Sequence, residues 1–199
     1  VADEIRRLAG VAPKETLFVG DSGVDIETAR RAGVRSVGVT WGFRPRRELE
    51  QAGAQRLALG VHQGLSPLLD VVRDYRWGRV EETCGEDPYL VGTLGTAYVQ
   101  GLQSEGVHAT LKHFVGYPAS RAGRNHAPIS MGVRELEDVM LPPFEMAVRG
   151  GVKAVMNSYC DIDGVPTVAD RRLLTGVLRD RWGFDGVVVS DYWSIPFLI

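Results

Sequence analysis

Apolar, β-branched stretches alternate with stretches of helical spacing along most of this chain, and this alternation constrains the fold more than any other feature. Four stretches are typical of strands: LSPLLDVV, ATLKHFV, VKAVMNSY and GVVVSDY. The segments between them predict helices, one opening at Asp87-Pro88, one over 134–149 and one over 170–182. Strands separated by helices pair in parallel, so the sequence predicts an α/β fold with a parallel sheet.

Two of these elements carry a more specific expectation. The run Val187–Val189 is apolar throughout, which predicts a strand buried on both faces of the sheet. The helix that opens at Asp87 is expected to turn one apolar face to the core, and that face contains Leu90, Val91, Leu94, Tyr98 and Leu102.

The first part of the chain, from Val1 to about Ala54, follows the same alternation. LFVGDS predicts a strand, 25–32 a short helix stopped by Gly33, SVGVTWG the next strand, and the residues after Pro45 another helix. We therefore expect two parts, residues 1–54 and residues 60–199, with no linker composition between them.

Composition excludes several classes of partner. The net charge of −2 leaves no basic surface for nucleic acid, and no apolar run approaches the roughly 20 residues that span a bilayer. Two cysteines, Cys84 and Cys160, cannot form the disulfide framework of a small secreted protein. The sequence, which begins with Val1 rather than Met, shows no signal-peptide pattern. We therefore expect a cytoplasmic location.

The stretch GDSGVD places two carboxylates close together after a predicted strand. Asp21 follows the strand directly, and Asp25 comes four residues later. Oxygen ligands of this kind suit Mg²⁺, which takes one or two carboxylates and keeps several waters. Alternatively, the two aspartates cap a turn and the start of a helix.

The longer stretch LFVGDSGVDIETARRAGVRSVGVTWGFRP resembles the fourth motif of haloacid dehalogenase-like phosphatases of the phosphoglycolate phosphatase type. The resemblance covers residues 1–54 and implies a Rossmann-like fragment in which Asp21 and Asp25 bind Mg²⁺. The family's nucleophile motif and phosphate-binding lysine are missing, and Lys14 lies too close to the strand to be that lysine. We therefore expect a vestigial metal site without phosphatase activity.

Polar side chains gather near the ends of the predicted strands of the second part. They are Arg79, Lys112, His113, Tyr159 and Asp191. The carboxyl ends of parallel strands share one edge, where α/β enzymes keep their active sites, so these groups predict a common polar site. Each has an ordinary alternative: a strand pair with one residue in solvent for Lys112 and His113, a core aromatic for Tyr159, and a helix cap for Asp191.

The second part resembles the amino-terminal barrel of glycoside hydrolase family 3, in its β-glucosidase and β-xylosidase branch. Over residues 60–199 the motifs follow in order: DYRWGRVEETCGEDPYL, GVHATLKHFVGY, GRNHAPISM, LPPFEMAV, VMNSYCDIDGVP and LLTGVLRDRWGFDGVVVSDY. Tyr75 departs from the commoner proline of the DPRWGR motif. The resemblance implies a partial (β/α)8 barrel, a β-glucoside or β-xyloside oligosaccharide as substrate and no cofactor.

The resemblance also implies roles for individual residues. Asp191 matches the catalytic nucleophile, Arg79, Lys112 and His113 match residues that hold sugar hydroxyls, and Tyr159 matches a tyrosine near the nucleophile. A retaining glycosidase attacks the anomeric carbon with an ionised carboxylate, which the charge of Lys112 would favour at Asp191. Tyr192 and Trp193 offer flat faces on which a sugar can stack.

A retaining mechanism needs a second carboxyl group about 5–5.5 Å from the nucleophile. The resemblance implies that it belongs to a carboxy-terminal domain absent from this sequence. The N-acetylglucosaminidase branch uses an Asp-His pair after the KHF strand, whereas the loop GYPASRAGRNHAP offers His126 without a neighbouring aspartate. Loop carboxylates that could serve, or could simply be solvated or act as caps, are Glu81, Glu82, Asp161 and Asp163.

The two resemblances together indicate a chimeric or truncated reading frame joined between Ala54 and His62. A partial barrel exposes two strand edges that a closed barrel lacks. We therefore expect a piece of a retaining β-glycosidase that is inactive by itself. The alternatives are a piece of a Mg²⁺-dependent phosphatase and a carbohydrate-binding remnant without catalysis.

Overall fold

The computed structural model describes residues 12–40, 42, 44–58 and 62–198. The chain divides into two compact units, Val1–Val61 and His62–Ile199. Residues 59–61 of the predicted junction, and Trp41 of the predicted strand SVGVTWG, lie outside the described residues. No helix in the described ranges is long and apolar enough to cross a membrane.

The first unit contains a three-stranded parallel sheet in the order β1-β2-β3. Its strands are β1 (Leu17–Gly20), β2 (Arg35–Val39) and β3 (Arg56–Ala58). A 3-10 helix (Pro13–Glu15) precedes them, and the helices Gly23–Arg31 and Arg46–Gln51 connect them. Gly33 has φ +66°, the left-handed conformation that ends a helix and favours glycine.

The second unit contains a four-stranded parallel sheet in the order β4-β5-β6-β9. Its strands are β4 (Gln63–Gly64), β5 (His108–Phe114), β6 (Ala154–Asn157) and β9 (Val187–Val189). A short antiparallel hairpin follows β6, formed by β7 (Asp161–Ile162) and β8 (Val165–Pro166). Parallel pairing throughout both larger sheets confirms the predicted α/β class.

The prediction of a strand over LSPLLDVV is wrong for most of its length. Leu68 forms a single parallel bridge with Lys112, and the strand that pairs with β5 is instead the short β4. The segment still runs beside β5, because Leu69 donates its backbone N–H to the carbonyl of Lys112 at 2.7 Å. Pro67 has no N–H to donate, which interrupts a regular ladder at this point.

The predicted helices of the second unit form, but two of them differ from a regular α-helix. The helix Pro88–Ser104 is continuous. The region predicted as one helix over 134–149 divides into Val133–Glu135, a π-helical turn over Leu136–Met140, and Pro142–Arg149. Prolines at 142 and 143 lack the N–H groups that would continue the preceding helix. The region Arg172–Arg181 is a π-helix. Short 3-10 helices in the described part of this unit are Val80–Glu82, Tyr117–Ala119, Arg121–Gly123, Thr167–Ala169 and Pro196–Leu198.

The predicted buried face of the helix Pro88–Ser104 is confirmed for Val91, which is fully buried, and for Leu102, which packs against the core, but it is wrong for the other three residues. The buried residues are Val91, Gly92, Gly95 and Val99, whereas Leu90, Leu94 and Tyr98 are about half exposed. The two glycines explain the rotation, because they let the helix approach its neighbours closely. A Cβ at Gly95 would lie 2.1 Å from a methyl group of Leu69, and one at Gly92 would lie 2.5 Å from the sulfur of Met146.

The expected burial of β9 on both faces is also wrong. Val187 is 62% exposed, and the next two valines are only partly buried. Among the described strands β9 pairs with β6 alone, so it forms an edge of the four-stranded sheet. In this chain an apolar run of three valines therefore forms an edge strand rather than a strand buried on both faces.

The core of the second unit is aromatic near the end of β5. Phe114 is 1% exposed, and its ring lies edge-on to Phe144 at 5.3 Å and to Trp182 at 5.9 Å. These contacts join β5 to the helix Pro142–Arg149 and to the end of the π-helical region Arg172–Arg181. They fix the strand that carries Lys112 and His113.

Asp87 caps the helix Pro88–Ser104, as predicted, because its Oδ1 accepts the backbone N–H of Leu90 at 2.7 Å. We expect Asp87→Ala to lower the free energy of unfolding by about 1 kcal/mol, the usual contribution of an N-cap. Urea unfolding of the protein followed by circular dichroism measures this change. The control is Asp180→Ala, at an exposed helical position, and an equal loss in both variants would contradict the capping role.

Candidate active site

The parallel strands of the second unit bring the predicted site residues to one edge of the sheet. Lys112 and His113 belong to β5, Tyr159 follows β6, and Asp191 follows β9. Arg79 comes from the turn before the 3-10 helix Val80–Glu82. All five line one cavity of about 490 Å³.

An irregularity in β5 lets two successive side chains reach this cavity. In a regular strand neighbouring side chains point to opposite faces. The pairing of β5 with β6 shifts register between Leu111 and Phe114, so that one extra residue lies on β5. A bulge of this kind redirects side chains, and both Lys112 and His113 line the cavity. The alternative in which one of them faces solvent does not hold.

Asp191 lies in the wall of the cavity and is nearly inaccessible, with 3% exposure. Its Oδ1 accepts the backbone N–H of Tyr192 at 2.9 Å. Its Oδ2 is buried and has no hydrogen-bond partner among the described residues, and His113 Nε2 lies 3.9 Å from it. Asp191 is the one carboxylate that lines the cavity in the described part of the chain. One of its oxygens is therefore oriented by a backbone N–H, and the other makes no hydrogen bond within the described part of the chain.

Tyr159 lies beside this carboxylate. Burial, followed by the charge of Asp191 and a hydrogen bond to it, raises the pKa of Tyr159 to about 12. The phenol therefore stays protonated at neutral pH and acts as a donor. Its ring packs edge-on to Tyr117 at 6.1 Å and lies tilted over His126 at 4.2 Å.

Lys112 brings a positive charge into the cavity. Its side chain is half-buried, and it makes no ion pair within the described ranges. Burial, together with the nearby charge of Arg79, lowers the pKa of Lys112, while Glu82, Asp191 and Asp70 act in the opposite direction. A cation held in this way can donate to hydroxyl groups of a bound ligand.

Arg79 is held by a carboxylate and a histidine. Its Nε and Nη2 donate to Glu82 at 2.7 and 2.8 Å, and its Nη1 lies 2.9 Å from His113 Nε2. Glu82 raises the pKa of Arg79, and Arg79 lowers the pKa of Glu82. Glu82 is therefore ionised and engaged, which is the opposite of what a general acid requires.

A residue that the sequence interpretation missed holds the other side of His113. Asp70 is buried, and its Oδ2 accepts the ring Nδ1–H of His113 at 2.8 Å and the backbone N–H at 3.1 Å. The sequence signal for Asp70 was a carboxylate inside the apolar run LSPLLDVV. A buried carboxylate is costly unless it is paired, so its presence there indicates a buried partner.

Comparison with known proteins identifies the family of this chain. The family described as "Glycosyl hydrolase family 3 N terminal domain" matches residues 28–199. The chain belongs to glycoside hydrolase family 3. The resemblance recognised over residues 60–199 is thereby confirmed, whereas the resemblance of residues 1–54 to phosphatases gains no support, and the family match begins at Thr28, inside the first unit.

Relatives within family 3 carry β-glycosidase names. The chain is 49% identical over 151 residues to a β-xylosidase of Formosa agariphila, covering 71% of this chain and 21% of that protein. It is 43% identical over 143 residues to a β-glucosidase of Rhizobium radiobacter, covering 71% of this chain and 17% of that protein. A crystal structure of a β-glucosidase from Listeria innocua in complex with glucose aligns with TM-score 0.66 at 40% identity, covering 67% of this chain and 20% of that one. The chain thus spans about a fifth of the length of these relatives.

The loop carboxylates considered as the second catalytic group lie elsewhere. Glu81 is exposed and does not line the cavity. Asp161 Oδ1 accepts the N–H of Gly164 at 3.0 Å, and Asp163 Oδ1 accepts that of Met131 at 3.3 Å. Both aspartates therefore stabilise local backbone around the β7-β8 hairpin.

The two aspartates that were predicted to bind Mg²⁺, Asp21 and Asp25, take part in local hydrogen bonds. Asp25 Oδ2 accepts the N–H of Asp21 at 3.1 Å and both the N–H and the hydroxyl of Ser22, at 3.0 and 2.7 Å. This is a capping box at the start of the helix Gly23–Arg31, which agrees with the capping alternative for Asp25. In the described ranges no group of three or more His, Cys, Asp or Glu residues could hold a metal ion. The Mg²⁺ site gains no support from the structure.

Proposed function

We propose that the protein carrying this sequence is a retaining β-glycosidase that hydrolyses β-glucosides or β-xylosides, with Asp191 as its nucleophile. The observation that carries this proposal is that Asp191 lines one cavity with Arg79, Lys112 and His113, while its buried Oδ2 has no hydrogen-bond partner among the described residues. The names of the family 3 relatives agree with this reaction. We propose further that the four-stranded sheet is part of a (β/α)8 barrel.

In the first step Asp191 Oδ2 attacks the anomeric carbon. The bond to the leaving oxygen breaks, and that oxygen takes a proton from a second carboxyl group. Water then attacks the same carbon, gives its proton to that second group and releases Asp191. Two displacements return the anomeric centre to its starting configuration. The N–H of Tyr192 on Oδ1 and the hydroxyl of Tyr159 stabilise Asp191 as the leaving carboxylate of the second step.

Sugar hydroxyls are proposed to bind the cations of the cavity. Lys112 and Arg79 can only donate hydrogen bonds, and a hydroxyl accepts them readily. Tyr192 is 79% exposed and lines the cavity, so its ring suits stacking against a sugar face. Trp193 is 61% exposed but is not among the residues that line the cavity.

The second carboxyl group is proposed to come from a segment other than those that line this cavity. Among the described residues only Asp191 brings a carboxylate to the cavity. By this proposal the chain alone hydrolyses substrates with poor leaving groups slowly, since protonation of the leaving oxygen is missing. A substrate whose leaving group needs no proton would require only Asp191 in the first step, while the second step would still lack its base.

The test is hydrolysis of 4-nitrophenyl β-glucoside and β-xyloside, followed by proton NMR. The enzyme is the whole protein that carries this sequence, called the intact protein below. The first sugar released should be the β-anomer, which then equilibrates with the α-anomer. Initial release of the α-anomer would contradict the covalent route. The substrate with the higher kcat/KM, glucoside or xyloside, identifies the sugar that the protein prefers.

Three further points of the sequence analysis remain proposals. A carbohydrate-binding role without catalysis predicts glucose binding by the intact protein that is lost in Lys112→Ala, with no hydrolysis. A phosphatase origin of residues 1–54, with Mg²⁺ at Asp21 and Asp25, rests on the sequence resemblance alone, and the capping contacts of Asp25 argue against it. A cytoplasmic location stays a prediction.

A further inference from the structure

The proposed reaction makes no direct use of Asp70, although this residue is among the most deeply buried charges of the second unit. Its side chain has no exposed surface, and its Oδ1 has no hydrogen-bond partner among the described residues. The other oxygen, Oδ2, accepts two hydrogen bonds, both from His113. A carboxylate buried with so few partners is costly, so its contact with His113 calls for an explanation.

The hydrogen-bond partners of His113 define which ring nitrogen carries the proton. Arg79 Nη1 lies 2.9 Å from Nε2, and a guanidinium can only donate. Nε2 must therefore accept, which places the proton of the neutral ring on Nδ1. Nδ1 in turn lies 2.8 Å from Asp70 Oδ2 and donates to it. The ring also packs edge-on against Tyr117 at 5.1 Å, which limits its rotation.

The position of this proton matters because Nε2 lies 3.9 Å from Asp191 Oδ2. A proton on Nε2 would oppose the N–H of Arg79 and would place a hydrogen-bond donor 3.9 Å from Asp191 Oδ2. That donor would compete for the oxygen that the proposed reaction needs. A histidine without a proton at Nε2 leaves this oxygen available and keeps Arg79 in the cavity.

We propose that Asp70 is a positioning residue that holds His113 with its proton on Nδ1, so that Nε2 binds Arg79 and Asp191 Oδ2 stays unoccupied. The functional part of this proposal rests on the proposed glycosidase reaction. The structural part, the location of the proton on His113, stands independently. Asp70 itself touches neither the cavity nor the proposed substrate.

The experiment compares Asp70→Leu with Asp70→Asn in the intact protein labelled with ¹⁵N-histidine. Leucine removes the acceptor, whereas the asparagine oxygen can still accept both bonds from His113. We expect the nitrogen spectrum of wild type and Asp70→Asn to show the Nδ1–H form of His113, and Asp70→Leu to populate the Nε2–H form. The His113 signal is assigned with His113→Gln. The control is Asp170→Asn, at a buried helix-capping aspartate, which should leave His113 unchanged.

Kinetics give the second readout. We expect Asp70→Leu to lower kcat/KM by roughly tenfold to a hundredfold, by analogy with the loss when the hydrogen-bond partner of a metal-binding histidine is removed. Asp70→Asn should lose about threefold, since it keeps the acceptor and loses only the charge. A general packing role predicts instead that both variants lose activity in parallel with stability and leave the proton on Nδ1, and that result would overturn the proposal.

A third variant decides the question if Asp70→Leu does not fold. Arg79→Leu removes the donor to Nε2 at a partly exposed position and leaves Asp70 in place. If Asp70 sets the proton, His113 stays in the Nδ1–H form. A shift of the proton to Nε2 would show that Arg79 sets it and would overturn the proposal. Absence of glycosidase activity in wild type would contradict the proposed function, while the spectra would still test Asp70.

Discussion

Asp191→Ala is expected to lower kcat of the intact protein for aryl β-glycosides on the order of 10⁴-fold or more, the scale of losses seen when a nucleophile is removed. The physical reason is that no other described carboxylate lines the cavity to form the glycosyl-enzyme bond. Folding should be unaffected or improved, because the variant removes a buried charge whose Oδ2 has no described partner. Initial rates and thermal unfolding measured side by side separate the two effects.

Two additions make the Asp191 result specific. Azide is small enough to occupy the space of the lost carboxylate, so it should restore turnover in Asp191→Ala and produce a glycosyl azide of inverted configuration. Asp161→Ala serves as the control, because Asp161 holds a nearby hairpin and has no role in the chemistry. Retention of more than a tenth of the wild-type kcat in Asp191→Ala would rule out the proposed nucleophile.

Lys112→Met is expected to lower kcat/KM by about 10²–10³-fold, as for loss of a preorganised donor in a water-poor site. Lys112 makes no ion pair in the described part of the chain, so its charge is free for the substrate and for the neighbouring Asp191. Methionine keeps the length and the apolar stem of the side chain. Lys153→Met, at an exposed position outside the cavity, should change kcat/KM little.

The pH dependence provides a second test of Lys112. Burial lowers the pKa of Lys112, so the ammonium is present below that lowered pKa and is lost as the pH rises through it. The kcat/KM of wild type should therefore fall at a lower alkaline pH than an ordinary lysine would give. Lys112→Met should lack this fall, and an identical alkaline fall in the variant would contradict the assignment.

The residues of the cavity could be predicted because their positions follow from topology. Parallel strands end at one edge, so Lys112, Tyr159 and Asp191 could be placed together from strand order alone. The same argument did not predict how Lys112 and His113 could both face the cavity. That depends on a register shift in β5, which follows from pairing with β6 and leaves no signal in ATLKHFV.

Features that depend on packing partners were not predictable from local pattern. Gly92 and Gly95 belong to the buried face of the helix Pro88–Ser104, because Met146 and Leu69 occupy the space of their missing side chains. A face predicted from large apolar residues therefore included Leu90, Leu94 and Tyr98, which are about half exposed. Asp70 was missed for a similar reason, because its partner His113 is 43 residues away in the sequence.

The central claim is that Asp191 forms the bond to the sugar, and covalent trapping tests it most directly. The intact protein is incubated with a 2-deoxy-2-fluoro-β-glucoside or β-xyloside that carries a dinitrophenyl leaving group, then digested and sequenced by mass spectrometry. We expect one fluorosugar per protein, attached as an ester to Asp191, and no labelling of Asp191→Ala. A stable label on any other residue would contradict the account.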